Sequence, residues 1–422
     1  MFPCKICLKP FDRKAGLDQH NKRKVPCKAA AVAAPGPGPV APAAVVEATA
    51  SGPVVEATVV LQNTAISLFS GCGGDTLGME RAGFKVIAYS ELKPTFAKSH
   101  DANFTDSKRI TDEKGSSDIT KIEDPQFAAY SGKADLIFAG FPCQPFSHAG
   151  KKDPMDPRNQ LYRQFVRATQ LVRPPFIIGE NVPGLERMPS GPNETDPLII
   201  DVIRAAFEEI GYSLSYKIQE ATAFGVPQKR KRMIIVGWDT ARIKRFNAAQ
   251  FWINLAAEGA KLQRTSMRTF VSASMEGAYL IPPALVPEGF ATYALPVAAD
   301  AVPVGTPHPY VKLKTDAGLL SCTKRDSPVH SEIIDLDAPS KTIICTYDHQ
   351  PRLLVGLRKP DGTAYARMLL PDELKQIQGF PATYTLEGKQ NEKIVQVGNA
   401  VPPPMIQAVA TAIRLSQVNA NV

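Results

Sequence analysis

The sequence predicts an α/β protein with a doubly wound, mostly parallel sheet, together with a smaller irregular domain and a small zinc finger. Two observations predict the α/β class. From residue 65 onward, short apolar segments of strand length alternate with amphipathic segments of helix length, which is typical of a parallel sheet covered by helices on both faces. Turns rich in Gly or Pro directly follow two of the apolar segments, at the strand ends where open α/β sheets bind ligands.

Each element is predicted from its hydrophobic periodicity. The strands are expected at residues 65–69, 85–90, 134–139, 176–179, 213–219 and 233–236. The helices are expected at residues 77–82, 161–172 and 198–210, with a last helix at 405–415 that returns to the sheet. The stretch 240–365 carries scattered Pro and Gly with little regular periodicity, which predicts a second, irregular domain.

A chain of 422 residues is long enough for two or three domains. We expect a zinc-finger-like module at residues 1–28, followed at 29–60 by an Ala/Pro-rich extended linker without periodicity. The main α/β domain is expected at residues 61–238, the irregular domain at 239–365, and the return to the main domain at 366–422.

Composition and charge restrict the class of protein. No apolar run reaches the roughly 18 residues that a membrane span needs, and the first residues do not have the pattern of a signal peptide. With seven cysteines, an odd number, the thiols are expected to be reduced and the protein cytoplasmic, with no membrane partner. Residues 1–28 hold eight Lys or Arg against two Asp, and such a basic segment suits a polyanion such as nucleic acid.

Four residues near the N-terminus have the spacing of zinc ligands: Cys4, Cys7, His20 and Cys27. The apolar residues between them fit the small core of a ββα zinc finger, although the last ligand is Cys and its spacer is slightly long. Because 28 residues cannot bury enough apolar surface to fold alone, a structural zinc ion is expected to hold the module together. A basic disordered arm without metal is the alternative.

The turn after the first strand predicts a cofactor site. Gly71 and Gly73 allow the backbone to approach a ligand closely, and Glu91 stands at the end of the second strand, where nucleotide-binding folds place an acid on ribose hydroxyls. A dinucleotide fits less well, because Thr76 occupies the third glycine position and Asp75 puts a carboxylate at the helix N-terminus. A cationic ligand such as S-adenosylmethionine tolerates that carboxylate better. A tight turn with a surface Glu is the alternative.

The segment that argues most strongly for catalysis is residues 140–147 (GFPCQPFS), directly after the predicted strand 134–139. Two prolines stiffen the loop around Cys143, which suits a nucleophile better than a buried structural cysteine. Three further segments carry polar residues beside predicted strands or near the C-terminus: residues 179–182 (GENV), 228–232 (QKRKR) and 396–404 (QVGNAVPPP).

Together and in this order, the four segments resemble the cytosine-C5 DNA methyltransferase family, over about residues 64–238 and 366–415. The resemblance implies that Cys143 adds to C6 of a cytosine flipped out of the duplex. It implies that Glu180 hydrogen-bonds N3 and the exocyclic amine, and that Arg232 contacts the base O2 and helps orient Cys143. Arg230 is expected to be structural. Residues 61–238 become the catalytic and cofactor-binding domain, and residues 239–365 the target-recognition domain.

The resemblance also implies a set of contacts with S-adenosylmethionine. The residues that match the family's cofactor contacts are Phe69, Gly71, Gly73, Glu91, Leu92, Asp118, Ile119, Pro142, Leu161, Asn399 and Ala400. Leu92 departs from the aromatic residue that many relatives carry against adenine, so we expect an aliphatic surface there and weaker cofactor binding. In the target-recognition domain, residues 346–350 (TYDHQ) form a polar run that could read base edges.

The resemblance predicts a monomeric enzyme that methylates C5 of cytosine within a specific sequence of double-stranded DNA. A cognate restriction enzyme is a candidate partner. Two alternatives stay open at this point: the same chemistry on tRNA, and a non-catalytic DNA-binding protein on this scaffold. The length of the insert at 239–365 favours DNA, and the intact motif residues favour an enzyme.

Overall fold

The structure is a computed structural model, and it describes residues 61–142, 160–191, 193, 195–286, 288–306, 332–349 and 351–418. The expected zinc finger with Cys4, Cys7, His20 and Cys27, the linker at 29–60, and Cys143 itself lie outside these residues. None of the helices in the described ranges has the length and apolar character that crossing a membrane requires.

Seven strands of the first 240 residues form one sheet. The strands up to that point are β1 (Thr64–Leu68), β2 (Lys85–Ser90), β3 (Lys108–Arg109), β4 (Leu136–Ala139), β5 (Phe176–Asn181), β6 (Tyr212–Glu220), β7 (Gln228–Lys229) and β8 (Lys231–Asp239). The sheet has the order β3-β2-β1-β4-β5-β8-β6. Its first five strands run parallel, and β8 pairs antiparallel with both β5 and β6.

The strand order reverses between β1 and β4. From β1 the chain moves outward to β2 and β3, and it then returns to the other side of β1 with β4 and β5. The carboxyl ends of β1 and β4 therefore lie side by side, with Leu68 paired to Ala139. In open α/β sheets, ligands bind in the crevice outside such a switch point. The loop after β1 that contains Gly71 and Gly73, called the glycine loop below, and the loop of Cys143 after β4 both begin there.

The described residues contain ten α-helices. They are α1 (Gly74–Arg81), α2 (Pro94–Asn103), α3 (Asp124–Ala128), α4 (Tyr162–Val172), α5 (Ile199–Glu209), α6 (Ala248–Lys261), α7 (Phe290–Tyr293), α8 (Pro371–Ile377), α9 (Gln390–Asn399) and α10 (Pro403–Val418). Short 3-10 turns occupy Pro183–Arg187, Ala221–Phe224, Met267–Thr269 and Pro283–Leu285.

Alternate residues of the central strands enter two separate cores. Ile66, Ile137 and Ile177 face the core beneath α3, α4 and α5, whereas Leu136 and Phe176 face the core beneath α1, α6 and α10. This alternation is the period of two that a strand buried on both faces requires. The predicted α/β class with a mostly parallel sheet and helices on both faces is confirmed.

A second, smaller sheet follows the first in the chain. The strands after β8 are β9 (Tyr279–Leu280), β10 (Leu295–Pro296), β11 (Glu332–Ile333), β12 (Ser340–Lys341), β13 (Leu353–Arg358) and β14 (Ala364–Met368). All of them except β12 belong to this second sheet. The order is β10-β13-β14-β9, with β11 also on β13. Strand β12 instead pairs with β7, the short strand just before β8. The seven-stranded sheet and the helices on its two faces are called the first body below. A third apolar core lies between this sheet, the glycine loop and helices α8 and α9.

The elements predicted in the first body are confirmed with small shifts of their ends. Helices α2, α6 and α9 were not expected from periodicity. Helix α6 packs on the core that α1 and α10 share, so the first body extends beyond residue 239, where the irregular domain was expected to begin. The expected return at residue 366 falls inside β14, which pairs antiparallel with β13.

Candidate active site

The strand end that leads to Cys143 lies directly beside Glu180. Strand β4 ends at Ala139, which pairs with Gly179 of β5, and Glu180 is the next residue of β5. A Cβ atom placed on Gly140 would lie 3.7 Å from Oε2 of Glu180. The two loops that the sequence singled out therefore begin within contact distance of each other, because parallel neighbours end at the same edge of the sheet.

Arg232 completes this edge from the next strand. Its Nε donates to Oε1 of Glu180 at 2.9 Å, and the two side chains are only 15% and 14% exposed. Glu180 pairs with Ile234 across β5 and β8, so Arg232, two residues before Ile234, projects from the same face. Burial lowers the pKa of Arg232, and the adjacent carboxylate of Glu180 raises it in opposition. The pair is a largely desolvated hydrogen-bonding group at the strand end.

Asn181 ties the loop of Cys143 to the strand of Glu180. Its buried Nδ2 donates to the backbone oxygen of Phe141 at 3.1 Å, two residues before Cys143. Its Oδ1 accepts from the backbone N–H of Val182 at 2.8 Å. Phe141 is itself buried and packs against Phe165, with ring centroids 6.2 Å apart. The sequence analysis did not assign a role to Asn181, although it lies inside the segment GENV.

Arg230 is structural, as expected, and it joins three distant segments. The side chain is 1% exposed and donates to the backbone oxygens of Ile343 and Gly398, each at 3.1 Å. Gln228 adds a second connection, because its Nε2 donates to Oε1 of Gln378 at 2.6 Å and its Oε1 accepts from the N–H of Ile343 at 3.0 Å. The segment QKRKR thus holds the residues around Ile343 and the segment QVGNAV against the strand of Arg232.

The glycine loop has an unusual backbone. Phe69, Gly71 and Gly73 all have positive φ angles, of 56°, 58° and 89°. For Phe69 this conformation is uncommon and costly, and such residues concentrate at ligand sites. A Cβ atom on Gly71 would meet nothing within 4 Å, whereas one on Gly73 would lie 2.6 Å from the ring of Phe104. Open space therefore lies at Gly71, and a close contact requires glycine at Gly73.

Glu91 closes the other side of this loop. Its Oε2 accepts from the N–H of Gly71 at 2.9 Å, and its Oε1 accepts from the N–H of Lys93 at 2.7 Å. Burial raises the pKa of Glu91, and these two hydrogen bonds oppose the rise. A half-closed loop with a carboxylate at its edge and open space at Gly71 fits a nucleoside whose ribose hydroxyls bind the acid.

Asp118 and Ile119 are connected to Glu91 through Arg109. The guanidinium donates to Oγ of Ser117 at 2.8 Å and to the backbone oxygen of Glu91 at 3.4 Å. Ile119 is buried. For Asp118, burial raises the pKa, but hydrogen bonds from Thr120 and the nearby Lys121 outweigh it and the net pKa is lowered.

Leu92 is 62% exposed, which leaves its aliphatic surface available to a ligand.

The C-terminal segment reaches the glycine loop from the opposite side. A Cβ atom on Gly74 would lie 2.6 Å from the backbone oxygen of Val401 and 3.5 Å from Cβ of Ala400. Asn399 is exposed, whereas Pro142 and Leu161 are half-buried. The structure thus brings Ala400 to the glycine loop although more than 300 residues separate the two.

One predicted DNA-reading residue is placed in the core. Tyr347 is 1% exposed, and its hydroxyl donates to the backbone oxygen of Leu353 at 2.6 Å while accepting from the N–H of Leu369 at 2.9 Å. The expectation that Tyr347 reads base edges is therefore wrong, because an apolar core surrounds its ring. Thr346 and His349 are exposed, and Gln350 lies outside the described residues.

No metal site is found in the part of the chain that the structure describes: it holds no group of three or more His, Cys, Asp or Glu side chains that could bind a metal ion. The four candidate zinc ligands lie outside that part, so the zinc finger stays a prediction.

Comparison with known proteins agrees with the geometry. The chain is 28% identical over 382 residues to a Type II methyltransferase of Haemophilus parahaemolyticus, M1.HphI, covering 84% of this chain and 88% of the relative. It is 27% identical to Type II methyltransferase M.MspI of a Moraxella species, covering 84% and 71%.

The fold is also shared with solved structures. The Dnmt2 methyltransferase of S. pombe superposes with a TM-score of 0.54 at 14% identity, covering 85% of this chain and 99% of that one. The EhMeth methyltransferase of Entamoeba histolytica does so with a TM-score of 0.52 at 16% identity, covering 85% and 98%.

The family model described as "C-5 cytosine-specific DNA methylase" matches residues 63–274 and 328–415. These residues include β1 and the glycine loop, the paired Glu180 and Arg232, and the segment that Arg230 holds beside them. A match that begins just before the first strand and ends in the last helix makes this chain a member of the C-5 cytosine-specific DNA methylase family.

Proposed function

We propose that this protein methylates C5 of cytosine within a specific sequence of double-stranded DNA, with S-adenosylmethionine as the methyl donor. The family and the Type II methyltransferase relatives support this enzyme class. A role in restriction and modification, beside a cognate restriction enzyme, is the further proposal that those relatives suggest. Action in the cytoplasm and a monomeric state are further parts of this proposal.

Cys143 is the proposed nucleophile. Cytosine C5 is too weakly nucleophilic to attack a methyl sulfonium unaided, so a thiolate first adds to C6 of the flipped base. The Sγ–C6 bond forms as the C5–C6 π bond breaks, and the electron density of the resulting enamine lies on C5. After C5 has gained the methyl group and lost its proton to a base, the Sγ–C6 bond breaks and the thiolate is released.

Glu180 is proposed to assist the addition, and its position is the observation that supports this role. Its Oε1 is held by Arg232 at 2.9 Å, while Oε2 faces the strand end at Gly140 that leads to Cys143. A carboxyl group there can donate to N3 of the cytosine as charge develops on the ring. Arg232 orients that carboxyl group and has further N–H groups for the base O2. A desolvated pair of this kind needs little reorganisation during the reaction.

The residues around the glycine loop suit S-adenosylmethionine, which when bound supplies the methyl group as an electrophilic sulfonium. Glu91 would hold the ribose hydroxyls, and Leu92, Asp118 and Ile119 would surround the adenine. Phe69, Gly71, Gly73 and Ala400 form the rest of the cradle, with Asn399, Pro142 and Leu161 at its rim. The open space at Gly71 supports this assignment.

A trapping experiment tests the chemistry. Duplex DNA that carries 5-fluorocytosine at the target base should form a covalent complex with the wild-type protein when S-adenosylmethionine is present, because fluorine cannot leave as a proton does. The Cys143→Ser variant should form no complex and no product, since an alcohol is far less ionised than a thiol at neutral pH. Glu180→Gln should still form the complex, but about 100-fold more slowly.

The controls separate the candidate functions. A structured RNA with 5-fluorocytosine should not be trapped, and trapping on RNA alone would favour the tRNA alternative. Bisulfite sequencing of plasmid from expressing cells should show methylation in one sequence context. A covalent complex that persists in Cys143→Ser would identify another nucleophile, and the absence of any complex or methylation on DNA of all contexts would contradict the proposal.

The second sheet and the segments beside it are proposed to form the target-recognition domain. Thr346 and His349 are exposed close to β12, which pairs with β7 just before Arg232. Lys341 of β12 forms an ion pair within the protein, because its Nζ lies 2.6 Å from Oε2 of Glu332. The boundaries of this domain are best tested by limited proteolysis with and without DNA.

The N-terminal segment is proposed to bind one zinc ion through Cys4, Cys7, His20 and Cys27, on the support of their spacing alone. Elemental analysis of the full chain should find one equivalent of zinc, and the Cys4→Ser, Cys7→Ser double variant should contain none. A full chain without zinc would contradict this proposal. Deletion of residues 1–60 should leave methylation intact while weakening DNA binding most at low salt.

A further inference from the structure

A buried polar network lies directly behind the glycine loop. Asp75, in the first turn of α1, is 2% exposed. Its Oδ2 accepts a hydrogen bond from Oγ of Ser67 at the end of β1, and Oγ of Ser70, inside the loop, donates to Oδ1 at 3.4 Å. One carboxylate thus connects the end of strand β1, the glycine loop and the first turn of helix α1.

The network continues to the strand of Glu91. Oγ of Ser70 lies 3.3 Å from Oγ1 of Thr76, which lies 3.1 Å from Nε2 of His100. The imidazole of His100 stacks on Tyr89 with ring centroids 3.6 Å apart. Since Tyr89 lies two residues before Glu91, the network connects the two backbone segments that form opposite sides of the cofactor cradle.

The back of the loop is fixed by close packing as well. A Cβ atom on Gly73 would lie 2.8 Å from the hydroxyl of Tyr384 and 3.1 Å from Cδ2 of His100. The hydroxyl of Tyr384 also donates a hydrogen bond to the backbone oxygen of Cys72. The loop therefore has little room to adopt another shape while the network behind it is complete.

We propose that Asp75 is a positioning residue for S-adenosylmethionine: its ionised carboxylate, by accepting from Ser67 and Ser70, holds the glycine loop in the shape that binds the cofactor. This inference rests on the proposed use of S-adenosylmethionine. Asp75 does not touch the reacting atoms, so the network should affect the affinity for the cofactor and leave the chemical step at saturation unchanged.

Only the ionised carboxylate accepts from both hydroxyls without itself donating, because protonation turns one of its oxygens into a donor. Burial raises the pKa of Asp75 to about 7, although the hydrogen bonds from Ser67, from the backbone N–H groups at residues 75 and 76, and from Ser70 oppose the rise. Protonation near neutral pH would require one hydroxyl to reverse its hydrogen bond. The affinity for S-adenosylmethionine should therefore fall as the pH decreases through this range.

Other titratable groups packed against the network behave differently. Burial raises the pKa values of Cys72 and Tyr384 far above neutrality, and it lowers that of His100 to about 3. None of these three changes charge between pH 6 and 8. Burial also raises the pKa of Glu91, and the amino group of the cofactor titrates near pH 8, so the test must compare variants at each pH.

The experiment is calorimetric titration of the full-length protein with S-adenosylmethionine at pH 6, 7 and 8. The Kd of the wild type should rise about tenfold more between pH 8 and pH 6 than that of Asp75→Asn. At pH 8 the Asp75→Asn variant should bind about tenfold more weakly than the wild type, and the two should converge at pH 6. Glu80→Gln, on the exposed side of the same helix, is the matched control and should keep the wild-type profile.

The outcomes are distinguishable. A wild type that binds no S-adenosylmethionine at any pH would contradict the proposed function. Binding with the same pH profile in Asp75→Asn as in the wild type, or a fall in kcat at saturating cofactor without a change in Kd, would overturn the role of Asp75. Should Asp75→Asn fail to fold, Ser70→Ala removes only the loop's hydroxyl: a severalfold higher Kd with unchanged kcat supports the proposal, and an unchanged Kd overturns it.

Discussion

Asn181→Ala should separate the positioning of Cys143 from the chemistry of Glu180. The substitution removes the hydrogen bond from Nδ2 to the backbone oxygen of Phe141 and the one that Oδ1 accepts from the N–H of Val182. It leaves the ion pair between Glu180 and Arg232 in place. Phe141, at the described start of the loop of Cys143, would then keep its packing on Phe165 without this hydrogen bond to β5.

The size of the effect follows from those two hydrogen bonds. Each contributes about 0.5–1.5 kcal/mol net, so the free energy of unfolding should fall by about 1–3 kcal/mol. If the same energy is lost from the positioning of the loop in the transition state, kcat should fall by roughly 5- to 150-fold, since about 1.4 kcal/mol corresponds to a factor of ten. The Kd for S-adenosylmethionine should change less than kcat, because Asn181 lies on β5, and β4 separates β5 from β1 and the glycine loop that follows it.

Single-turnover methylation and urea denaturation together provide the assay. Asn103→Ala is the matched control, since this side chain also bridges two backbone segments, donating to Ser99 and Thr385 and accepting from Thr385. The control should lose a similar free energy of unfolding and keep its kcat at saturating cofactor. If Asn181→Ala is destabilised as calculated while its single-turnover rate equals that of the wild type, the loop is held in some other way and the reasoning is wrong.

Three further predictions concern stability. Arg367→Met should lower the free energy of unfolding in urea by about 3–5 kcal/mol, because it leaves Glu373 buried without its partner at 2.7 Å; a loss below 1 kcal/mol would argue against that pair. Gly398→Ala should cost about 1–3 kcal/mol, since its Cβ would lie 2.5 Å from Cα of Cys345, and thermal melting will measure this. Because the pKa of Asp75 is about 7 when folded and about 3.9 when unfolded, the folded state holds an extra proton between these values. The wild type should therefore lose up to about 1.4 kcal/mol per pH unit from pH 5 to 7 relative to Asp75→Asn, and parallel urea curves at pH 5, 6 and 7 would contradict this.

The sequence was sufficient for those parts of the fold whose apolar residues show a clear period. All six predicted strands and four predicted helices are present, because their buried residues recur at the spacing that a strand or a helix imposes. Helix α2 was missed for a physical reason: two of its four buried residues are Ser99 and His100, so its inner face is partly polar and its apolar period is weak. Helix α9 likewise buries a polar residue, Gln396, on its inner face.

Helix α6 was missed although its sequence carries the signal. Its buried residues Phe251, Trp252 and Leu255 have helical spacing, but Gly259 near its end lowers the expectation of a helix. The structure explains that glycine, because a Cβ atom there would lie 2.9 Å from the backbone oxygen of Ala223. Glycine is needed at this position because the helix approaches the backbone at Ala223 closely. The periodicity of a single segment cannot show such a contact.

For the candidate site, the sequence identified residue types but not their partners. Glu180 and Arg232 were both expected in the site, yet their contact depends on the antiparallel register of β5 with β8. The acceptors of Arg230 are backbone oxygens at Ile343 and Gly398, and any residue type supplies a backbone oxygen. Asp75 was predicted to exclude a dinucleotide, and its contacts with Ser67 and Ser70 required the fold.

The topology explains why the segment proposed for DNA recognition lies so close to Glu180 and Arg232, the proposed catalytic pair. The chain leaves the first body after α6 and returns to it through α8, α9 and α10, and α10 packs in the same core as α1 and α6. On the way back, β12 (Ser340–Lys341) pairs with β7 (Gln228–Lys229), and Arg230 then holds Ile343. Only one residue separates Arg230 from Arg232, which binds Glu180. Any movement of the segment around residues 340–346 would act on Arg230 through its hydrogen bond to Ile343, two residues before Arg232. Methylation rate and sequence recognition should for that reason be coupled at Arg230, and substitutions there should reduce both.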